Sequence, residues 1–349
     1  MGAGSAIGLS LWLASASASA DPFRIATYAA PLSREGPGLL LKDIVSGQDK
    51  GITAIVDVIS AADPDLLLLT DFDHDAGLAA LNAFADLLAK RGTAYPFRFA
   101  RPSNAGLPTG LDMDGNGALG EARDAMGYGD FRGNGGMALL SRVPIDTDNV
   151  ADFTGLLWRD LPGAQMPQMN GQPFPSKEAM AIQRLASAGF WVVPVLPEGG
   201  PPFALLASAA TTPAFDGPED RNGLRNRDEI RFWSLYLDGA FGAAPSSFVL
   251  AAKLNADPED GDGDHATIRA LLSDPRLQDP RPASAGGAWA ADPSHRGDPS
   301  LDTAAWPGSP QGNLRVSYVL PSADWTVTGA GVIWPAPEDP MSALLGEDG

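Results

Sequence analysis

Apolar and polar positions set out an alternation of element types from the start of the chain. Residues 23–28, Phe-Arg-Ile-Ala-Thr-Tyr, alternate and are rich in β-formers, which predicts a first strand. Residues 54–59 place apolar side chains at helical spacing, and Asp63-Pro64 stops them. Leu66-Leu-Leu-Leu69 is apolar throughout and runs into Thr70-Asp-Phe-Asp-His-Asp75, the pattern of a buried strand with a polar tip. Residues 76–91 are helix formers at helical spacing, closed by Gly92. Strand, helix, strand, helix is the signature of an α/β fold.

The pattern loosens and then resumes. Residues 101–136 are rich in Gly and Asp and predict a long loop, after which 135–141 reads as a strand. Residues 150–183 are irregular, with several prolines. Residues 190–196 and 203–207 predict a strand pair around Glu198-Gly-Gly200. Residues 216–226 read as a charged loop, with Asn226 capping a helix through Asp238 whose apolar face is Ile230, Trp233, Tyr236 and Leu237. The apolar run 248–252 turns polar abruptly at Lys253, Asn255 and Asp257. Polar groups at the end of a buried strand are where α/β folds place chemistry, so Asn255 and Asp257 are candidate site residues. A short helix over 266–272 and strands over 314–320 and 327–334 complete the reading. No fixed-period repeat occurs.

Length and composition narrow this picture. The 349 residues, 44% of them apolar, suffice for one large α/β domain or two smaller ones. The net charge of -19 disfavours polyanion binding unless a local basic patch or a divalent cation intervenes. The absence of cysteine excludes disulfides, thiolate zinc sites and thiol catalysis. Residues 6–13 form a short apolar core followed by Ala-Ser repeats to Ala20, the pattern of a secretory signal cleaved before Asp21. No later segment is long enough to span a bilayer, so the mature chain is expected to be soluble and secreted or periplasmic.

Three motifs carry candidate chemistry. Asp112-Met-Asp-Gly-Asn-Gly117 spaces oxygen ligands at alternate positions like the head of a calcium loop, making Asp112, Asp114 and Asn116 candidate ligands. The twelfth position is Arg123, which excludes an EF-hand, though Glu121 or Asp124 can substitute. A calcium site and an empty acidic loop both remain open. The three histidines, His74, His265 and His295, stand among Asp, Gly and Pro without a Ser or Cys partner at a recognisable spacing, which argues against a nucleophilic triad. In the stretch 216–230, Arg221, Asn222 and Arg225 read either as part of an internal charge network or as a shelf for phosphate.

Taken together, the strand at 24–28, the strand and tip at 66–75, Gly136-Met-Ala-Leu-Leu-Ser-Arg142, the block 216–239, Leu254-Asn-Ala-Asp-Pro258 and residues 313–321 resemble the endonuclease/exonuclease/phosphatase superfamily with the deoxyribonuclease-I-like fold, in its bacterial secreted branch. The resemblance covers nearly everything from Asp21 onward. It implies one domain over 21–349, built as two packed β-sheets flanked by helices, a four-layer α/β sandwich. It also implies a monomer that hydrolyses phosphoesters or nucleic acid with magnesium or calcium, through acidic metal ligands and a His-Asp pair.

Carried over residue by residue, the resemblance leaves most catalytic positions substituted. The amide expected after Tyr28 is Ala29. The metal-binding acid is Asp71, one methylene shorter than the usual Glu. The basic and imidazole positions after Leu185 are Ala188 and Phe190, and a second imidazole position is Ala209. The Asp-x-Asn of the apolar strand end is Lys253-Leu-Asn255, an acid near Tyr318 is replaced by Ser317, and the closing Ser-Asp-His does not occur before Gly349. Scaffold residues Tyr28, Arg221, Asn222, Asn226, Asn255 and Asp257 are retained. This pattern points to a pseudoenzyme or an artificial sequence. A weakly active metal-dependent phosphodiesterase or nuclease using Asp71, Asn255 and Asp257, and a secreted acidic calcium-stabilised binding protein, are the alternatives. Lys253 is expected to pair with Asp71 or Asp257 in place of a metal.

Overall fold

A computed structural model describes residues 22–306 and 308–345. The expected signal segment, and the last residues before the chain end, lie outside the described residues. The first sheet has the order β1-β2-β4-β3, from β1 (Ile25–Tyr28), β2 (Leu66–Phe72), β3 (Phe97–Phe99) and β4 (Gly136–Ser141). The second has the order β13-β10-β9-β8-β5. Its strands are β5 (Ala151–Asp152), β8 (Phe190–Val195), β9 (Phe203–Ala209), β10 (Phe248–Lys253) and β13 (Ser317–Pro321). Between them in sequence, β6 (Gln168–Met169) pairs with β7 (Gln172–Pro173), and β11 (Ala304–Ala305) with β12 (Asn313–Leu314).

The helices are α1 (Leu39–Ser46), α2 (Lys50–Ala62), α3 (Ala79–Lys90), α4 (Lys177–Ile182), α5 (Arg221–Leu237), α6 (His265–Leu272) and α7 (Ala285–Trp289). Strand alternation divides the core into three slabs. Leu67 and Leu69 of β2 pack with Ile52, Val56, Ile59, Leu81 and Phe84 of α2 and α3. Leu66 and Leu68 face the other way and meet Val193, Leu205, Val249 and Ala251 of the second sheet. Leu250 and Ala252 turn outward against Ile230, Trp233, Ile268 and Leu271 of α5 and α6. Helix, sheet, sheet, helix is the four-layer α/β sandwich that the resemblance implied. Among the described residues no helix is long and apolar enough to cross a membrane.

Three expectations are corrected. The helix expected to begin at Asn226 begins at Arg221, because the polar side chains of 221–229 are buried rather than solvated, and Asn226 lies inside the helix. Residues 327–334 form no strand; Val332 and the Trp334 carbonyl bond instead to Ala283 and Gly286 beside α7. The 314–320 run is split, since Arg315 and Val316 leave the ladder between β12 and β13. Helix α1 has no counterpart among the expected elements; its Leu40 and Ile44 are buried against the α2–α3 slab.

Candidate functional site

The strand ends converge because β9 and β10 run parallel while β8 and β13 run antiparallel to them. Lys253 is therefore in register with Ala209 on one side and Ser317 on the other. Strands β1 and β2, parallel to each other, pack across β10. Asp71, the tip of β2, sits close enough to Lys253 for its charge to be felt there.

Each tip is shaped by a specific break. Asp71 bulges out of the β2–β4 ladder at a left-handed φ of 77°, while the backbone on either side re-engages Leu32. A short carboxylate residue tolerates that conformation at little steric cost. Asn255, at φ 52°, ends β10 the same way, and its amide donates to the Ala210 carbonyl at 2.7 Å. Both turns aim polar groups out of the apolar slab.

Asp257 does a different job from the one expected. Its carboxylate accepts from the backbone N–H groups of Arg315 (2.7 Å), Glu259 (2.8 Å) and Asp260 (3.0 Å). It anchors the loop after β10 to the segment before β13, and Arg315 then grips Asp279 through two N–H groups. The expected ion pair of Lys253 with Asp71 or Asp257 is absent: among the described residues Lys253 forms no ion pair or side-chain hydrogen bond. Burial pulls the lysine below its usual pKa, and Asp71 opposes that shift.

The phosphate shelf expected from Arg221, Asn222 and Arg225 is built into the scaffold instead. Arg225 is wholly buried and donates to the carbonyls of Leu185 (2.8 Å), Met126 (2.8 Å), Ala186 (2.9 Å) and Arg184 (3.1 Å). Burial lowers it to about 10. Arg221 donates to the Gln183 side chain at 2.8 Å, and Asn222 to the Ala214 carbonyl at 2.7 Å. Glu229, in the charged stretch 216–230 but not among its candidate site residues, accepts from the backbone N–H groups of Ser187 and Thr211, both at 2.6 Å. Burial raises its pKa. Asn226 ties Thr211 to Leu254, with both carbonyls at 2.8 Å. The inner face of α5 thus holds the loops that carry the strand ends. The signal for it was the run of charged residues interleaved with Ile230 and Trp233 at helical spacing.

The remaining substituted positions line the same end. Ala188 packs in the inter-sheet slab, Phe190 stacks on Phe232 with ring centroids 4.1 Å apart, and Ala29 follows Tyr28 at the end of β1. The histidines sit elsewhere. His74 lines a small cavity of about 220 Å³ with Arg132 and the start of α1. The His265 ring meets the Asp257 carbonyl at 2.9 Å, and His295 lies beside Asp292. A magnesium ion of the family kind does not fit the strand ends. Among the described residues Asp71 is the single carboxylate there that backbone N–H groups leave free, and a half-buried ammonium stands on β10, which packs across β2.

The loop 112–124 is a separate acidic site. Oxygens of Asp112, Asp114 and Asp124 all lie within 4.8 Å of one another, so this cluster can hold a metal ion. Asp124 completes the trio in place of Asn116, whose amide bonds to Asp114 and Glu121. Asp112 accepts from the N–H groups of Asp114, Gly115 and Gly117, which hold its carboxyl below the usual range.

The family assignment follows from this architecture and from comparison. Residues 45–342 match the profile of the Endonuclease/Exonuclease/phosphatase family, and the chain belongs to that family. Its fold is similar to that of an endonuclease/exonuclease/phosphatase from Beutenbergia cavernae, at 18% identity and a TM-score of 0.52 over 88% of this chain. The chain spans 66% of the length of that structure, just under two thirds. Sphingomyelinase C from Streptomyces griseocarneus aligns at 18% identity and a TM-score of 0.48, covering 87% of this chain and 85% of that one. A variant of beta toxin from Staphylococcus aureus, solved with bound magnesium ions, aligns at 12% identity and a TM-score of 0.46, covering 88% and 86%. No curated protein sequence matches the chain.

Proposed function

We propose that this chain is a family member whose strand-end cleft binds phosphoesters without hydrolysing them efficiently. One observation carries the reading: Lys253, Ala209 and Ser317 lie side by side in register at the strand ends, beside Asp71 and Ala29. Water attack on a phosphoester needs a general base, a charge stabiliser and a held metal. Here the neighbouring positions carry an ammonium, a hydroxyl and methyl groups, while His265 bonds to the Asp257 carbonyl, His295 lies beside Asp292 and His74 lines a separate cavity. A residual metal-dependent hydrolase built on Asp71 and Asn255 is the competing reading. Titrating magnesium or manganese against bis-p-nitrophenyl phosphate separates the two. No turnover above background, unchanged in Asp71→Ala, is expected. Metal-dependent turnover that disappears in Asp71→Ala would establish the hydrolase.

A second reading concerns the loop 112–124, which we read as a calcium site that stabilises the fold, on the convergence of three carboxylates. Calcium is expected to raise the melting temperature of the wild type and to leave that of Asp112→Ala unchanged; equal shifts in both would remove this reading. With residues 1–20 read as a secretory leader, the phosphoester cleft belongs to an exported protein.

A further inference from the structure

The strand ends hold Lys253 where the family's chemistry calls for a bound cation. Lys253 projects into the inter-sheet side of β10, since it alternates with Val249 and Ala251, which face the first sheet. Its two neighbours in register are Ala209 and Ser317, side chains too small to reach across to its ammonium or to cover it. Among the described residues no acceptor holds it. Asp71 lies near enough to act on it through space but makes no ion pair with it. Polar atoms without partners cluster on the same slab. The hydroxyls of Thr70, one residue before Asp71, and of Thr27 on β1 are both buried without a hydrogen bond. A half-buried ammonium left without a counter-ion favours an anion arriving from solvent.

We infer that Lys253 stands in for the divalent cation, so that the cleft binds the oxygens of a phosphate group with no metal present. The inference rests on the phosphoester-binding reading and specifies how that site recognises its ligand. The shared chemistry is a phosphate oxyanion, free or esterified. No bond is made or broken; the ligand exchanges solvent for the ammonium.

Isothermal titration in EDTA, with inorganic phosphate in one arm and bis-p-nitrophenyl phosphate in the other, tests this on the wild-type chain, Lys253→Met and Lys253→Arg. Binding in EDTA that magnesium does not strengthen, that weakens at least roughly tenfold in Lys253→Met, and that survives in Lys253→Arg is the expected result. Circular dichroism on both variants confirms that they are folded. The arm that binds identifies whether the ligand is free phosphate or a diester. Binding that appears only after magnesium is added would overturn the inference while leaving the phosphoester-binding reading in place. EDTA-resistant binding unchanged in Lys253→Met would overturn the role given to Lys253. Absence of binding with and without magnesium would overturn both.

Discussion

Two polar regions of this molecule, a few residues apart along β9 and β10, treat buried charge in opposite ways. Beneath α5, Arg225, Glu229, Asn226 and Asp228 are buried and each reaches named partners, with only the Asn226 Oδ1 and, nearby, the Arg221 Nε left unpaired among the described atoms of this face. Asp228 alone accepts from the Trp158 indole, the Gln165 backbone, Arg227 and Arg231. At the strand ends, Lys253 and Asp71 face the same space without meeting, and the hydroxyls of Thr27 and Thr70 are orphaned. The first arrangement is what a scaffold requires, because an unsatisfied buried group destabilises the fold. The second is tolerable only where a ligand or solvent completes it. The loops ending in Ser187, Thr211 and Leu254 are therefore rigid, while the groups they present are left unmatched.

The sharpest break of this contrast is Arg225→Ala. It strands the Leu185 carbonyl, takes one of two donors from the carbonyls of Met126, Arg184 and Ala186, and leaves Glu229 buried without its nearest cation, so the expected cost is about 3–5 kcal/mol in urea unfolding. A cost below about 1 kcal/mol would mean that the network does not hold the loops.

Asp302 gives a smaller effect with a definite pH signature. It is buried without a donor among the described residues, and burial together with the charge of Asp257 pushes it up to about 7. A carboxyl raised in the folded state binds its proton there at a pH where the unfolded chain has released it. Its destabilising effect is thus absent near pH 4 and complete above about pH 7. Asp302→Asn should melt higher than wild type at about pH 8, by roughly 5 °C, with the gap closing towards about pH 4. A gap of the same size at both ends would show that its carboxyl does not titrate in this range.

Much of the fold was legible because its slabs are written as strict alternation or as unbroken apolar runs. Leu66-Leu-Leu-Leu69 fills two slabs at once, which is why it carries no polar positions. The start of α5 was not legible. Buried Arg and Asn look like solvated loop residues until the carbonyls they meet, on segments 28 to 99 positions away, are brought to them. The same limit hid the role of Asp257: an acid two residues after Asn255 reads as a ligand, while the donor that makes it an anchor, the Arg315 N–H, lies 58 positions away and is brought to it only by the fold. The end of β10 was legible from the change from apolar to polar at Lys253. The separation of Lys253 from both acids was not, because it depends on which faces of β2 and β10 the side chains take.

The central claim is that a lysine occupies the role of a metal at the strand ends. Manganese soaked into crystals of the protein, located by its anomalous scattering, tests that claim most directly. The acidic loop 112–124 supplies an internal comparison in the same crystal. The account predicts no manganese within coordination distance of Asp71, whatever the occupancy at the loop. A manganese peak about 2.2 Å from an Asp71 oxygen would contradict it.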